Sequence, residues 1–341
     1  MRPFTYERAT DAAGAVAAAQ VHAAGAVAAA QASTADGGVR YLGGGTNLVD
    51  LMRLGVERPA HLIDVTRLGN DRVERTEDGG LRIGGAVSNS DLAAHALVRR
   101  EYPLLSQALL HGASGQLRNL ATVAGNLLQR TRCSYFQEVS KPCNKRRPGS
   151  GCPAREGEHR NLAILGHSEA CVATHPSDMA VALAALGAQV HVIGPGGERA
   201  IPMPGLHRLP GSDPQRDTVL EPDELITAVT LSAPVPAARS RYRKVRERSS
   251  FAFALVSVAV MLAVEDDRVR ECRIALGGVA HVPWRGQRAE AALRGQRPSE
   301  DAFAAAADAE LEQARPLREN AYKVALARNV IVQTLAELCV R

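Results

Sequence analysis

The stretch VRYLGGGTNLVDLMR, residues Val39 to Arg53, reads as a strand, a glycine turn and then helix or coil. Because glycine has no Cβ, consecutive backbone N–H groups at Gly43, Gly44 and Gly45 can turn inward and bind an anion such as a diphosphate. The loop has neither the Gly-Lys-Ser/Thr ending of a P-loop nor the G-x-G-x-x-G spacing of the Rossmann fingerprint, which argues against both folds. Taken alone, the three glycines are equally compatible with a plain tight turn.

Two further stretches favour a long ligand. ATVAGN, residues Ala121 to Asn126, again joins a hydroxyl, a glycine and an amide side chain, which can donate hydrogen bonds to phosphate or ribityl oxygens. HPSDMAVAL places Asp178 near the start of a helix, where its carboxylate either caps the helix or accepts hydrogen bonds from a polyol. Two separate glycine-bearing loops suggest a dinucleotide.

Strands alternate with helices around these loops. The stretch GGLRIGGAVSNSDLAAHALV repeats the order strand, glycines and helix, with the helix start predicted at Ser90 and Asp91. A later helix is predicted to be capped by Ser177 and to end at Gly187, before a strand. The other predicted features are a helix break at Gly112–Gly115, a linker at Ala233–Ala238, a hairpin turn near Glu265–Asp267 and alanine-rich helix from about Ala289 with a break at Pro316.

Length and composition indicate a globular protein of two or three domains. The 341 residues are 45% hydrophobic, enough for a sizeable core, and the formal net charge of +5 is small for this length. We therefore expect neither nucleic acid nor a membrane surface as a partner. No stretch reaches the roughly 18 consecutive apolar residues of a membrane span. The alanine-rich start lacks the order of an export signal, so the cytoplasm is the default compartment.

Four of the six cysteines lie in one segment. Cys133, Cys143, Cys152 and Cys171 have the spacing C-x9-C-x8-C-x18-C, with neither the close pairs of structural zinc sites nor the close triplet of bacterial ferredoxins. Spacing alone leaves an iron–sulfur cluster, zinc and unligated thiols open. Five cations in this segment could compensate the negative charge of a cluster, or could form a solvated or docking face: Lys141, Lys145, Arg146, Arg147 and Arg155.

Five motifs occur in one order along the chain: YLGGGTNLVDLMR, ASGQLRNLATVAGN, PSDMAVALAALGA, YRKVRERSSFAFALVSVAV and LGGVAHVPWR. Together they resemble the FAD-binding medium subunit of molybdenum hydroxylases, the xanthine dehydrogenase and aldehyde oxidoreductase family. The resemblance extends over nearly the whole chain. It is nearest to members that carry an additional [4Fe-4S] cluster in an insert at the position of the cysteines.

The resemblance implies an α+β fold with two domains. Residues 1–235 would form a two-lobed FAD-binding domain of the PCMH or vanillyl-alcohol-oxidase type. Its lobes would lie at about 1–56 and 57–235, with the iron–sulfur insert at about 130–172. A smaller α+β domain of the CO dehydrogenase flavoprotein type would follow at residues 239–341.

The resemblance also implies a role for each matching residue. The first glycine loop would wrap the FAD diphosphate, Asp178 would hold ribityl or ribose hydroxyls, and Lys244 would lie near the flavin ring. The implied FAD ligands are Gly43, Gly44, Gly45, Thr46, Asn47, Leu48, Thr122, Gly125, Asn126, Asp178 and Lys244; the implied [4Fe-4S] ligands are Cys133, Cys143, Cys152 and Cys171. The family often has two glycines before the asparagine of the second loop. Ala124 replaces the first one here, which requires negative φ.

The function implied is that of an electron-transfer subunit with no catalytic residues of its own, since the flavin does the redox work. A large subunit would oxidise an aldehyde or N-heterocycle at molybdenum, and a small [2Fe-2S] subunit would pass electrons to FAD in this chain and on to an external acceptor. Two alternatives stay open: a stand-alone FAD oxidoreductase of the same fold, and a zinc-stapled scaffold that binds a nucleotide. Export with a signal-bearing partner would place the complex in the periplasm.

Overall fold

The computed structural model describes residues 1–27 and 37–340, with side chains for residues 1–22 and 37–340. Its first part contains β1 (Thr5–Arg8), α1 (Ala12–Val27), β2 (Val39–Leu42), α2 (Leu48–Arg53) and β3 (His61–Asp64). The strands form a parallel sheet in the order β1-β3-β2, and α1 packs on one face of it. Because β3 follows the predicted lobe boundary at residue 56, the strands of this sheet extend beyond that boundary.

A second sheet contains five antiparallel strands in the order β4-β5-β8-β6-β7: β4 (Val73–Arg75), β5 (Leu81–Gly84), β6 (Gln189–Gly194), β7 (Gly197–Pro202) and β8 (Leu225–Leu231). The helices between β5 and β6 are α3 (Asn89–Ala94), α4 (Ala96–Glu101), α5 (Pro103–His111), α6 (Gly115–Leu120), α7 (Val123–Leu127), α8 (Ser134–Gln137) and α9 (Asp178–Leu186). The apolar faces of α5 and α9 bury the largest core of the chain against this sheet.

The last part of the chain forms a four-stranded antiparallel sheet in the order β12-β11-β10-β9, covered by three helices. Its elements are β9 (Arg239–Val245), β10 (Val256–Glu265), β11 (Arg268–Gly277), β12 (Trp284–Arg285), α10 (Gln287–Leu293), α11 (Glu300–Leu311) and α12 (Tyr322–Cys339). Residues 232–238 connect β8 to β9. In the described part of the chain, no helix combines the length and the apolar character that crossing a bilayer requires.

Most local predictions agree with this architecture, and the α+β arrangement is confirmed. Ser177 caps α9 by accepting a hydrogen bond from Ala180 N (2.9 Å), and Gly187 ends the helix with a φ of +66°. The predicted start of α3 is wrong by two residues. Ser88 is the cap because its extended backbone lets Oγ reach Asp91 N (3.0 Å).

Candidate functional site

A cleft of about 810 Å³ opens beside the first glycine loop, against the ends of α6 and α7 and the edge strand β9. We call it the cofactor cleft. Eight of the eleven predicted FAD ligands line it: Gly44, Gly45, Thr46, Asn47, Gly125, Asn126, Asp178 and Lys244. The other three, Gly43, Leu48 and Thr122, are adjacent to or near these residues in the chain but do not line the cleft.

The glycines of the first loop are required by close packing. A Cβ on Gly44 would lie 1.7 Å from Leu120 O, and a Cβ on Gly43 would lie 2.8 Å from Thr122 Oγ1. Gly45 has a φ of +72°, in the left-handed region that glycine adopts without strain. The first loop therefore packs directly on the junction of α6 and α7, which brings both predicted loops to one wall of the cleft.

The second loop is the start of a short helix rather than a loop of free donors. Thr122 caps α7 because its Oγ1 accepts a hydrogen bond from Gly125 N (3.1 Å). The hydroxyl that we expected to face a ligand is therefore bonded to the backbone N–H of Gly125. Ala124 lies inside α7 at negative φ, so an alanine is tolerated where the family often has glycine.

Amide side chains in the cleft have unused hydrogen-bonding atoms. Asn47 Oδ1 accepts a hydrogen bond from Arg130 N (3.0 Å), whereas its buried Nδ2 has no protein partner. Asn89 Oδ1 is also buried without a partner, and both side chains line the cleft. Asn126 Oδ1 accepts from Ser177 Oγ (2.5 Å), which leaves Nδ2 for a ligand. A buried polar atom without a partner costs about 1–3 kcal/mol, so these residues fit a polar cofactor that completes the cleft.

Asp178, expected at the ribityl or ribose hydroxyls, and Lys244, expected near the flavin ring, contact each other. Lys244 Nζ donates to Asp178 Oδ2 (2.7 Å) and to His111 O (3.1 Å). Tyr242 OH donates to Asp178 Oδ1 (2.5 Å), and burial holds the pKa of this tyrosine well above 10, so it stays protonated. The helix cap is Ser177, so the capping alternative for Asp178 is wrong.

Sequence reasoning missed Asn89, Tyr242 and two exposed aromatic residues at the mouth of the cleft. Phe251 and Phe253 are 55% and 49% exposed, and the Arg132 guanidinium lies 5.3 Å from the centroid of the Phe253 ring. Asn89 follows the strand and glycine pair that we had identified as a recurring pattern, which was a usable signal. Tyr242 gave none, because its partner lies 64 residues away in the chain.

The four clustered cysteines lie around one small apolar space, which we call the cysteine pocket. Cys133 and Cys171 are buried, and all four are free thiols. They pack with Leu51 of α2, the helix that follows the first glycine loop. Burial raises the pKa of Cys133 to about 11 and that of Cys171 to about 12, so without a metal these thiols are neutral.

The spacing of the sulfur atoms distinguishes between metal centres. Among the described residues, no three of these four cysteines have Sγ atoms that all lie within 4.8 Å of one another. Zinc–sulfur bonds of about 2.3 Å in a tetrahedron would place the sulfurs about 3.8 Å apart. The pocket is therefore wider than a preformed zinc site. An iron–sulfur cluster places an iron in front of each thiolate and so needs the larger separation.

Only one of the five cations in the cysteine segment is buried. Lys145 is 1% exposed; its Nζ donates to Pro214 O (2.7 Å), and it forms an ion pair with Asp217. Its charge also lowers the pKa of Cys171, against the larger effect of burial. Lys141 and Arg147 are exposed, which agrees with the alternative of a solvated face for those residues.

Comparison with known proteins gives matches along nearly the whole chain. Residues 12–234 match the family described as FAD binding domain in molybdopterin dehydrogenase, and residues 240–338 match the CO dehydrogenase flavoprotein C-terminal domain. The chain is 51% identical to the aldehyde oxidoreductase FAD-binding subunit PaoB of Escherichia coli (strain K12), over 99% of this chain and 98% of that protein. It is 26% identical to the carbon monoxide dehydrogenase medium chain of Hydrogenophaga pseudoflava, over 87% and 88%.

Solved structures share the fold. A chain of reconstituted CO dehydrogenase from Oligotropha carboxidovorans superposes with a TM-score of 0.75 at 20% identity, covering 99% of both chains. One from carbon monoxide dehydrogenase of Hydrogenophaga pseudoflava gives 0.74 at 23% identity, covering 99% of this chain and 97% of that one. The predicted fold class, with an FAD-binding domain followed by a CO dehydrogenase flavoprotein domain, is confirmed. This chain therefore belongs to the family of FAD-binding medium subunits of molybdenum hydroxylases.

Proposed function

We propose that this chain is the FAD- and [4Fe-4S]-containing electron-transfer subunit of a heterotrimeric molybdenum hydroxylase that oxidises aldehydes or N-heterocycles. A large subunit would hold the molybdenum cofactor and a small subunit the [2Fe-2S] centres, from which electrons pass through this chain to an external acceptor. The observation that carries the proposal is the cofactor cleft, with its packed glycine loop and its unpartnered buried amide atoms. The 51% identical relative, named an aldehyde oxidoreductase subunit, favours aldehydes.

The role of the cleft residues is to bind and orient FAD, which supplies the redox chemistry at its isoalloxazine ring when bound. We assign the diphosphate to the loop Gly43–Asn47, because four of its residues line the cleft, where backbone N–H groups and the Thr46 hydroxyl are available to an anion. We assign Asn47 Nδ2 and Asn126 Nδ2 to phosphate or ribityl oxygens. Asn89 Oδ1 is an acceptor, so it suits a ligand hydroxyl or N–H group.

Asp178, Tyr242 and Lys244 act as one unit in this proposal. Tyr242 and Lys244 each donate to a different oxygen of Asp178, which fixes the carboxylate and holds the ammonium at the cleft wall. Lys244 also donates to His111 O, so its Nζ has little freedom to move. The pair is nearly neutral overall, and we assign the remaining lone pairs of Asp178 to polyol hydroxyls and Lys244 to the flavin end.

The cysteine pocket supports a [4Fe-4S] cluster over zinc. Its sulfur atoms are too widely spaced for a preformed zinc site, and its wall is largely apolar, with Phe136 fully buried. Lys145 places one positive charge close to Cys171, where it would offset the negative charge of a ligated cluster. The cysteines also pack with Leu51 of α2, so a cluster would lie near the helix that follows the glycine loop.

The proposal is tested by isolating the chain with whatever binds it. We expect the native complex to contain a molybdenum subunit and a [2Fe-2S] subunit, with one FAD in this chain, and we expect an aldehyde to bleach the flavin absorbance without added mediators. Isolation of a yellow single chain that reduces its own substrate would instead establish a stand-alone oxidoreductase. A colourless protein containing zinc would establish the nucleotide-binding scaffold.

A further inference from the structure

Three side chains outside both sites converge on the first sheet. Glu7 of β1, His22 of α1 and His61 of β3 each offer a ligand atom, and these atoms all lie within 4.8 Å of one another. Thr5 and Glu7, two residues apart on β1, lie on the same face of the sheet as their partners His61 and Ile63. Ile63 packs against α1, so Glu7 and His61 point to the face that α1 covers. Neither the cofactor cleft nor the cysteine pocket includes these residues.

The two distances from the Glu7 carboxylate are close to those between neighbouring ligand atoms of a tetrahedral metal ion. Glu7 Oε1 lies 3.1 Å from His61 Nε2 and 3.6 Å from His22 Nε2. Zinc bonds of about 2.0–2.2 Å to nitrogen and oxygen give ligand atoms roughly 3.3–3.5 Å apart in a tetrahedron. The two observed distances bracket this range, so small side-chain adjustments would complete the coordination.

The orientation of His61 is fixed by a hydrogen bond on its other nitrogen. Thr5 Oγ1 lies 2.5 Å from His61 Nδ1, and the same hydroxyl donates to Ala60 O (3.2 Å). The contact with Thr5 occupies Nδ1, so Nε2 is the ring nitrogen that faces Glu7. A hydrogen bond of this kind typically sets the tautomer and direction of a metal-binding histidine.

Glu7 and His61 face each other with polar atoms that lack a hydrogen bond within the protein. His61 is 7% exposed, and its Nε2 and Glu7 Oε1 are both buried without a hydrogen-bond partner. A divalent cation between the two atoms would bind both of them at once.

His22 supplies the adjustable ligand. Its ring is stacked on that of His61, with centroids 3.5 Å apart and planes 18° apart, and its side chain is 36% exposed. The ring must turn about its side-chain torsions to direct Nε2 at an ion, and its exposure leaves room for this movement. The Glu7 side chain is 41% exposed, so the fourth position faces solvent and would take water.

We infer that Glu7, His22 and His61 bind a divalent transition-metal ion, zinc being the best match to two imidazoles and a carboxylate. The ion joins α1 to β1 and β3. Because β3 pairs with β2, which leads into the first glycine loop, the ion stabilises the sheet that supports the cofactor cleft. This nitrogen and oxygen donor set is chemically distinct from the thiols of the cysteine pocket.

The test uses the FAD-loaded complex, first treated with a chelator, then given zinc and desalted. We expect one zinc per chain at this site, and X-ray absorption at the zinc edge should show imidazole nitrogen and oxygen but no sulfur. Sulfur ligation would place the zinc in the cysteine pocket and overturn the inference. Failure to retain zinc would overturn it as well.

Variants distinguish loss of zinc binding at this site from general loss of folding. His61→Gln and His22→Gln should each lose the zinc and the rise in Tm that zinc gives the wild-type protein. His22 is partly exposed, so that variant should fold even if His61→Gln does not, and flavin content reports folding in each. His95→Gln, a change to a histidine outside the site, should retain both zinc and the rise in Tm. Equal zinc binding by folded His22→Gln would assign the ion elsewhere and overturn the inference.

Discussion

The cofactor cleft and the cysteine pocket offer different kinds of atoms to their proposed ligands. The cleft is open and largely apolar, but atoms of Asn47 and Asn89 are buried in it without protein partners. The cysteine pocket is small and apolar, and the charges behind it, Lys145 and Asp217, are already paired with each other. The cleft therefore offers preformed hydrogen-bonding atoms, whereas the pocket offers neutral thiols that must lose protons to bind metal. Each prediction below tests one side of this contrast.

The largest effect is expected at Gly44, where the cleft depends on contact between two backbones. In Gly44→Ala the new Cβ would lie 1.7 Å from Leu120 O, a carbonyl held between α6 and α7. We expect the free energy of unfolding to fall by at least about 3 kcal/mol, because the backbone must shift to accept the methyl group. The purified variant should also lose FAD. Denaturant unfolding and flavin absorbance measure the two effects.

Gly196→Ala is the matched control for this substitution. Its Cβ would meet no atom within 4 Å, and the residue lies in the exposed turn between β6 and β7. We expect the free energy of unfolding to change by less than about 0.5 kcal/mol, with full FAD content. Normal stability and flavin content in Gly44→Ala would show that the cleft does not need the contact between the loops.

The next effect concerns the cysteine pocket. Cys143→Ser should abolish the cluster, with loss of its EPR signal and of about four iron atoms per chain, because serine is a poor ligand for this site. FAD should remain, since none of the four cysteines lines the cofactor cleft. Iron analysis, EPR and flavin absorbance of the purified complex check these outcomes.

Cys339→Ser provides the control, since this cysteine is also partly exposed but lies in α12, far along the chain from the other four. The Cys339→Ser protein should keep the iron of the cluster. If Cys143→Ser also keeps its iron, the proposed ligand set is wrong. If the cluster is lost while substrate still reduces FAD at the normal rate, the cluster is a structural clamp and not an electron relay.

The third-largest effect is expected at His281, which lies beside the ion pair of Lys145 and Asp217 at the cysteine pocket. His281 Nε2 lies 3.8 Å from Asp217, and burial lowers the pKa of the imidazole to about 4 from 6.5. The unfolded chain takes up a proton between pH 6.5 and 4, and the folded chain does not. The stability that neutral His281 contributes is therefore complete above pH 6.5 and is lost as the pH falls towards 4, by about 3 kcal/mol at most.

Urea unfolding of wild-type protein and His281→Gln across this range isolates the effect. Glutamine does not titrate, so the wild-type protein should lose stability relative to the variant as the pH falls. The other buried histidines, His175 and His207, are present in both proteins, so only their electrostatic coupling to His281 remains in the difference. Parallel pH profiles would mean that His281 is already protonated or hydrated in the folded state.

The same two regions show what could be predicted from sequence. The glycine loop, the Ser177 cap and the Gly187 helix end were readable because each depends on residues a few positions apart. The cysteine pocket was not, because spacings of eight to eighteen residues say nothing about distance after folding. There the resemblance to a family supplied the hypothesis. The partners of Asp178 were missed for the same reason, since Tyr242 lies on a strand of another sheet.

The smallest effect is expected at Asn89, where only the ligand can use the unpartnered Oδ1. Asn89→Ala should raise the Kd for FAD about tenfold, or ~1.4 kcal/mol, since one hydrogen bond to the cofactor is lost. The FAD-free protein should unfold as the wild type does, because Oδ1 bonds to nothing within it.

Asn126→Ala provides the contrast. It also removes the hydrogen bond from Ser177 (2.5 Å), so the stability of the FAD-free protein should fall together with the affinity for FAD. Flavin fluorescence titration and thermal unfolding measure both quantities. Unchanged affinity in Asn89→Ala would show that this acceptor does not face the cofactor.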